Sequence, residues 1–373
     1  MRIFKNALIF SGNELELVEG YMKIEDGVIS EIREGKPEES GVDMGGAFIL
    51  PPFVNAHTHL GDSIEKDLYI GKKQPEVVGS RGEKFKALNK SSDVDKIRAI
   101  RESLHDMKES GILVNCDFRE GGVQGANLLK ESKIEGLKTL TLSRPSRGES
   151  VDDLLSKSDG VGLSSIDSVS GGKMEEVSEK CFEQNKLLSF HVSETQPAHD
   201  RSIKNTGRTE IERALDFDPS FLVHATWAGR DDLKLLRESD VPLILCARAN
   251  SLLSDGIPPV KEALEENLEL WIGTDNVTVC APIILQELSF LWSILRLQTD
   301  EAGREDAREL LKAATVNPLN DLGMSFNSLR EGEKAAFVVL SKGNNLQDCK
   351  DPYVGIVNRA RVDNVEMVYY PEG

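Results

Sequence analysis

Short apolar runs alternate with longer amphipathic stretches through the middle of this chain, the pattern of βα units built around a parallel sheet. The apolar runs are 49–57, 112–117, 137–142, 160–164, 187–191, 221–224, 242–246 and 270–274. Helical spacing marks 94–110, 173–185, 209–216, 230–239 and 260–267, while 282–297 and 304–314 follow the last run. Eight strands with helices between them predict an α/β fold, a (β/α)8 TIM-like barrel. Such barrels gather their chemistry at the C-terminal ends of the strands and in the loops that follow.

The two ends of the chain read differently. Alternating runs over 3–10, 15–18, 21–24 and 28–32, the last two about the Glu25-Asp26-Gly27 turn, predict β structure. Two more, 335–340 and 362–370, close the chain. Residues 1–48 and 326–373 are therefore expected to pair into a small β-sandwich domain, with the barrel spanning 49–325. The segment 61–90 is long for a connection and predicts a loop, and with it a lid, over the barrel mouth. Its lysines read first as a solvated face, with attraction of an anionic substrate as the alternative.

Composition removes several function classes. A formal charge of −18 with no basic cluster argues against nucleic acid, whose binding depends on Lys and Arg displacing counterions. No apolar run reaches bilayer length, and Met1 to Phe10 is too interrupted for a secretory core, so a soluble cytoplasmic protein without a membrane partner is expected. Five widely spaced cysteines suggest neither a disulfide framework nor a metal knuckle. The oligomeric state stays open, a homo-oligomer being allowed.

Four of the six histidines stand where a barrel does its chemistry. His57 and His59, two apart, point the same way from the first strand. His191 ends the fifth strand, His224 the sixth, and Asp275 follows the eighth. Three imidazoles (His57, His59, His191) and the Asp275 carboxylate suit one divalent cation, zinc or iron. Such a cation lowers the pKa of water enough to supply hydroxide near neutral pH. Glu194, three residues after His191, reaches that water only if the strand ends near His191; it then serves as proton shuttle. His224 is placed to polarise the electrophile or steady the attacking oxygen, and Asp275 to relay a proton.

With these residues in hand, the chain resembles the amidohydrolase superfamily over roughly residues 49–322. Pro51-Pro52-Phe53-Val54-Asn55-Ala56-His57-Thr58-His59-Leu60 is similar to its first-strand signature, and Ile272-Gly273-Thr274-Asp275 to its eighth. His191-Val192-Ser193-Glu194 resembles the fifth-strand His-x-x-Glu of the deaminase branch. Cys246-Ala247-Arg248-Ala249-Asn250, then Gly256-Ile257-Pro258-Pro259-Val260, resembles a phrase of chlorohydrolase, guanine deaminase and S-adenosylhomocysteine deaminase relatives.

The resemblance implies metal ligands at His57, His59, His191 and Asp275, a shuttle at Glu194 and a substrate-facing His224. Binuclear members bridge two metals through a lysine at the fourth strand end. Here that end reads Gly162-Leu163-Ser164-Ser165-Ile166-Asp167, which implies a single metal. Pro52, Ala249 and the run Leu60-Gly61-Asp62 depart from the family pattern, and these departures touch the substrate assignment rather than the metal chemistry.

Around this centre, Arg119 and Glu120 end the second strand, as either a salt-bridged rim or substrate contacts. Arg144 and Arg147 follow the third and could clamp a carboxylate or phosphate. His199 lies in an expected loop beside the fifth strand end, and Trp227 is placed to stack on a flat ring. His105 reads as a surface residue. The function expected is deamination of a purine, pyrimidine or pterin-type heterocycle or nucleoside. Opening of a cyclic amide, displacement of another ring substituent, and a non-catalytic binding protein on a retained barrel are the alternatives.

Overall fold

The structure is a computed structural model and describes residues 1–79 and 81–370. The chain divides into two compact units. One comprises residues 1–54, 107–114 and 283–373, the other 55–106 and 115–282.

In the first unit, strands from both ends of the chain join in one seven-stranded sheet. Arg2–Ser11 pairs antiparallel with Glu16–Glu25, which pairs with Val28–Glu34. On its other side Arg2–Ser11 lies parallel to Phe48–Leu50, which meets Phe337–Leu340 and through it Val365–Tyr369. Alternate residues Phe4, Ile9, Met22, Ile24, Ile29, Phe337 and Val339 form its core. The expected separate strands 15–18 and 21–24 are one strand, and 362–364 is a 3-10 turn preceding the last strand.

The expected first barrel strand, 49–57, is corrected into two. Pro51 and Pro52 remove consecutive N–H donors, so pairing stops at Leu50 and resumes at Phe53. Phe48–Leu50 serves the terminal sheet, and Phe53–His59 is the first strand of the barrel. The others are Ile112–Arg119, Lys138–Ser143, Gly160–Leu163, Leu187–Val192, Phe221–His224, Leu243–Leu245 and Leu270–Ile272, the last continued by Asp275–Asn276. They run parallel in sequence order. Both faces of the first two are buried, including the polar residues Asn55, His57, His59, Asn115 and Asp117.

The eighth strand closes the barrel. Leu270–Ile272 pairs with the seventh strand, whereas Asp275–Asn276 pairs with the first. Between them Gly273 donates to Leu245 O and Thr274 to His57 O, each at 3.0 Å. Gly273 is required here, because a Cβ would lie 2.6 Å from His57 Cβ and 2.8 Å from its backbone nitrogen. Asn55 completes the seam: its Oδ1 accepts from Thr274 N and its Nδ2 donates to Thr274 Oγ1.

Helices flank these strands wherever apolar residues recur every three or four positions. Gly171–Glu183 buries Met174, Val177 and Cys181, and Arg230–Glu238 buries Leu233 and Leu236. Among the described residues no helix is long and apolar enough to cross a membrane.

Candidate metal centre and active site

At the C-terminal end of the barrel, His57, His59, His191 and Asp275 bring one ligand atom each within 4.8 Å of one another, all four buried. Strand alternation puts His57 and His59 on one face. Asp275 lies opposite Thr58, whose side chain alternates away. A φ of +63° at Asp275 breaks that alternation, and its Oδ1 reaches His57 Nε2 at 3.2 Å and His59 Nε2 at 3.3 Å. Left-handed backbone at a non-glycine residue is costly, and such strain concentrates at functional sites.

The outer nitrogens of two rings settle what the inner ones can do. His59 Nδ1 donates to Phe118 O, with Glu120 Oε1 also at 3.1 Å, and His191 Nδ1 donates to Leu163 O at 2.9 Å. With the proton on Nδ1, each Nε2 of the neutral ring presents a lone pair. These two nitrogens face one another at 3.4 Å. Two lone pairs and a carboxylate converging in a buried space repel unless a cation joins them, so the donor set fits a divalent metal ion. Three nitrogens and an oxygen suit zinc or iron.

Burial keeps His57 and His191 neutral, pushing His57 down to about 3 and His191 well below the usual histidine range. For Asp275 burial works against ionisation. The His57 hydrogen bond and the surrounding imidazoles outweigh it and hold the carboxyl far below the usual range.

Glu194 and His224 form a second group with Asp275, again within 4.8 Å. The fifth strand ends at Val192, and Ser193, at φ +45°, turns the chain so that Glu194 faces back over the barrel. Ser193 is held there by Glu210, whose Oε2 accepts its N–H at 2.8 Å. His224 also adopts positive φ, +77°. Asn250 Nδ2 donates to its Nδ1 at 3.1 Å, which leaves Nε2 as an N–H donor.

The segment 61–90 is corrected from a loop to ordered structure, with a 3-10 turn at Leu60–Ile64 and helices at Gln74–Val77 and Glu83–Lys90. Leu68, Tyr69, Val77 and Val78 pack with Ala249, Leu253 and Val279. Gln74 Nε2 donates to Glu194 Oε1 at 3.1 Å. Lys84 departs from the expected solvated lysines: it is 3% exposed and pairs with Glu120 at 2.5 Å and Asp62 at 3.4 Å.

The remaining candidates scatter more widely. Arg119 is buried near Asp117 and Glu120, at 3.9 and 3.7 Å. Glu120 joins Lys84 to His59; burial opposes its ionisation, but Lys84 and His59 hold its carboxyl well below the usual range. Arg144 is half-buried and Arg147 exposed. His199 is corrected from a loop to the helix Gln196–Thr206, where its Nδ1 meets Ser193 Oγ at 3.0 Å. Trp227 is 38% exposed and donates to Asp255 O. His105 is exposed on Asp93–Glu109. Gln74, Lys84, Glu210 and Asp255 belong to no spacing that carries chemistry by itself, and Asn250 stands in the seventh-strand phrase without a role attached to it.

Comparison with known proteins places this geometry. Residues 48–368 match the profile of the amidohydrolase family. A provisionally named aminohydrolase of Methanothermobacter thermautotrophicus is 32% identical, over 98% of this chain and 96% of its own. The 5-methylthioadenosine/S-adenosylhomocysteine deaminase of Pyrococcus furiosus is 22% identical, over 98% and 93%. An adenosine deaminase from Xanthomonas campestris, solved with bound zinc, superposes with a TM-score of 0.81 at 17% identity, covering 99% of this chain and 91% of that one.

Proposed function

This chain belongs to the amidohydrolase family, and from that premise we propose that it is a metal-dependent aminohydrolase. Its substrate in this reading is an amino-substituted nitrogen heterocycle of purine, pyrimidine or pterin type, free or as the nucleoside. The observation that carries the reading is Glu194, an acid turned back to within 4.8 Å of both His224 and Asp275.

His57, His59, His191 and Asp275 would hold one divalent cation, zinc or iron, which supplies Lewis acidity that makes water nucleophilic near neutral pH. Glu194 takes a proton from the attacking water and delivers it to the ring nitrogen, where it stays; the remaining hydroxyl proton goes to the amine, which departs as ammonia. His224 presents Nε2–H to the oxygen at the reacting carbon, its ring fixed by Asn250. Asp275 lies close enough to Glu194 and His224 to relay the second proton toward the amine. Gln74 holds one oxygen of Glu194 and leaves the other for the transfer. Among the described residues the five cysteines form no disulfide, which fits a reducing compartment, so we place the protein in the cytoplasm.

The test is metal analysis of the purified protein, followed by an ammonia-release screen over purines, pyrimidines, pterins and their nucleosides. The reading expects about one divalent ion per chain and ammonia from at least one compound class. Ring opening without ammonia, or no turnover by the loaded protein, contradicts it.

A further inference from the structure

The loop after the seventh strand carries a buried acid that the chemistry above does not use. Asp255 is 6% exposed, and its Oδ2 has no partner among the described residues. Its backbone is fixed, the N–H donating to Asn250 O at 2.8 Å and the carbonyl accepting from Trp227 Nε1 at 2.6 Å. A Cβ on the neighbouring Gly256 would stand 3.0 Å from Thr226 and 3.2 Å from Trp227. The loop therefore lies tight against the residues that follow His224.

Two more buried polar atoms on this wall are without partners among the described residues, Thr226 Oγ1 and Asn250 Oδ1. Asn250 has committed its amide nitrogen to His224, so what it still offers is an acceptor. Burial, then the nearby Glu194 and Asp275 carboxylates, push the Asp255 carboxyl up to about 8. Buried polar atoms are ordinarily satisfied, and a cluster that is not awaits a ligand or water.

We propose that Asp255 is a specificity residue, accepting a hydrogen bond from a second N–H group of the substrate, distinct from the amine that leaves. The inference rests on the deaminase reading and narrows its substrate class to rings bearing such a donor. An N–H edge supplies the donor that Asp255 lacks, and a second donor beside it the one that Asn250 Oδ1 lacks. A ring that presents only lone pairs there leaves Asn250 Oδ1 unmet.

The experiment measures ammonia release by metal-loaded wild type, Asp255→Ala and Asp255→Asn on matched pairs. These are guanosine against 2-aminopurine riboside, isocytosine against 2-aminopyrimidine, and 2,6-diaminopurine riboside against adenosine. Wild type is expected to favour the donor-bearing member of a pair by about tenfold or more in kcat/KM, as sites built around a buried polar partner do. Asp255→Ala lowers that ratio severalfold, Asn250 keeping the remainder, and Asp255→Asn, which keeps an acceptor oxygen, lowers it less. If Asp255→Ala fails to fold, the ratio in Asp255→Asn decides. An equal loss on both members, an unchanged ratio, or a wild-type preference for the donor-poor member overturns the inference alone. Ammonia from none of these six overturns this inference, and ammonia from none of the wider screen overturns the deaminase reading as well.

Discussion

His59 and His191 face each other through their Nε2 atoms at 3.4 Å, while each gives its Nδ1 proton to a backbone carbonyl. Neither ring in its neutral form can turn a donor toward the other without breaking a buried hydrogen bond. A cation relieves the conflict, so metal binding is coupled to stability. Removing metal with a chelator is expected to lower the melting temperature, and zinc at a thousandfold its Kd to restore about 4 kcal/mol. His191→Asn is expected to weaken metal affinity at least tenfold, the loss that outer-shell changes alone produce. Metal analysis and calorimetry read both effects.

Acid should destabilise the metal-free protein well above the carboxylate range. His57 is pushed down to about 3 by burial, and His191 moves the same way. The unfolded chain protonates its histidines near pH 6.5. From there down toward pH 3 the unfolded state holds more protons, and stability falls as pH falls. Asp275, with its carboxyl depressed, contributes stability above the ordinary aspartate value that is lost only at lower pH. Urea midpoints of the metal-free protein should drop between pH 7 and 5; a flat profile contradicts the buried neutral imidazoles.

Gly273→Ala tests the seam between the first and eighth strands. Its Cβ would meet His57 Cβ at 2.6 Å, and both partners are backbone-fixed. Overpacking at such a site costs about 1–3 kcal/mol, and here it also displaces a candidate ligand. Denaturant unfolding and metal content should fall together.

Lys84 offers a double-mutant cycle. Its ammonium is buried against Glu120, which also meets His59 Nδ1. Lys84→Met strands a buried carboxylate and is expected to cost about 3 kcal/mol, whereas Lys84→Met with Glu120→Gln should recover most of it. Additive losses in urea unfolding contradict a coupled pair.

The barrel and its histidines were legible because strand ends and two-residue spacing are written in the apolar runs themselves. The boundary at Pro51-Pro52 was missed, although two absent N–H donors announce it. Glu194 was legible as a residue but not as a position, since its direction depends on the positive φ at Ser193. Lys84 was hidden for another reason. A lysine in a polar segment reads as solvated until the fold sets Glu120 and Asp62 beside it. Asn250 stands in the seventh-strand phrase without a role attached and Asp255 in no motif, so only contacts across the sixth and seventh strand ends give them one.

The central claim is that Glu194 moves protons over a metal held by His57, His59, His191 and Asp275. Ammonia release by zinc-loaded wild type and Glu194→Gln, with zinc content measured on the same samples, tests it most directly. The account predicts equal zinc and a kcat lower by about two orders of magnitude or more in the variant. An unchanged rate at equal zinc contradicts it.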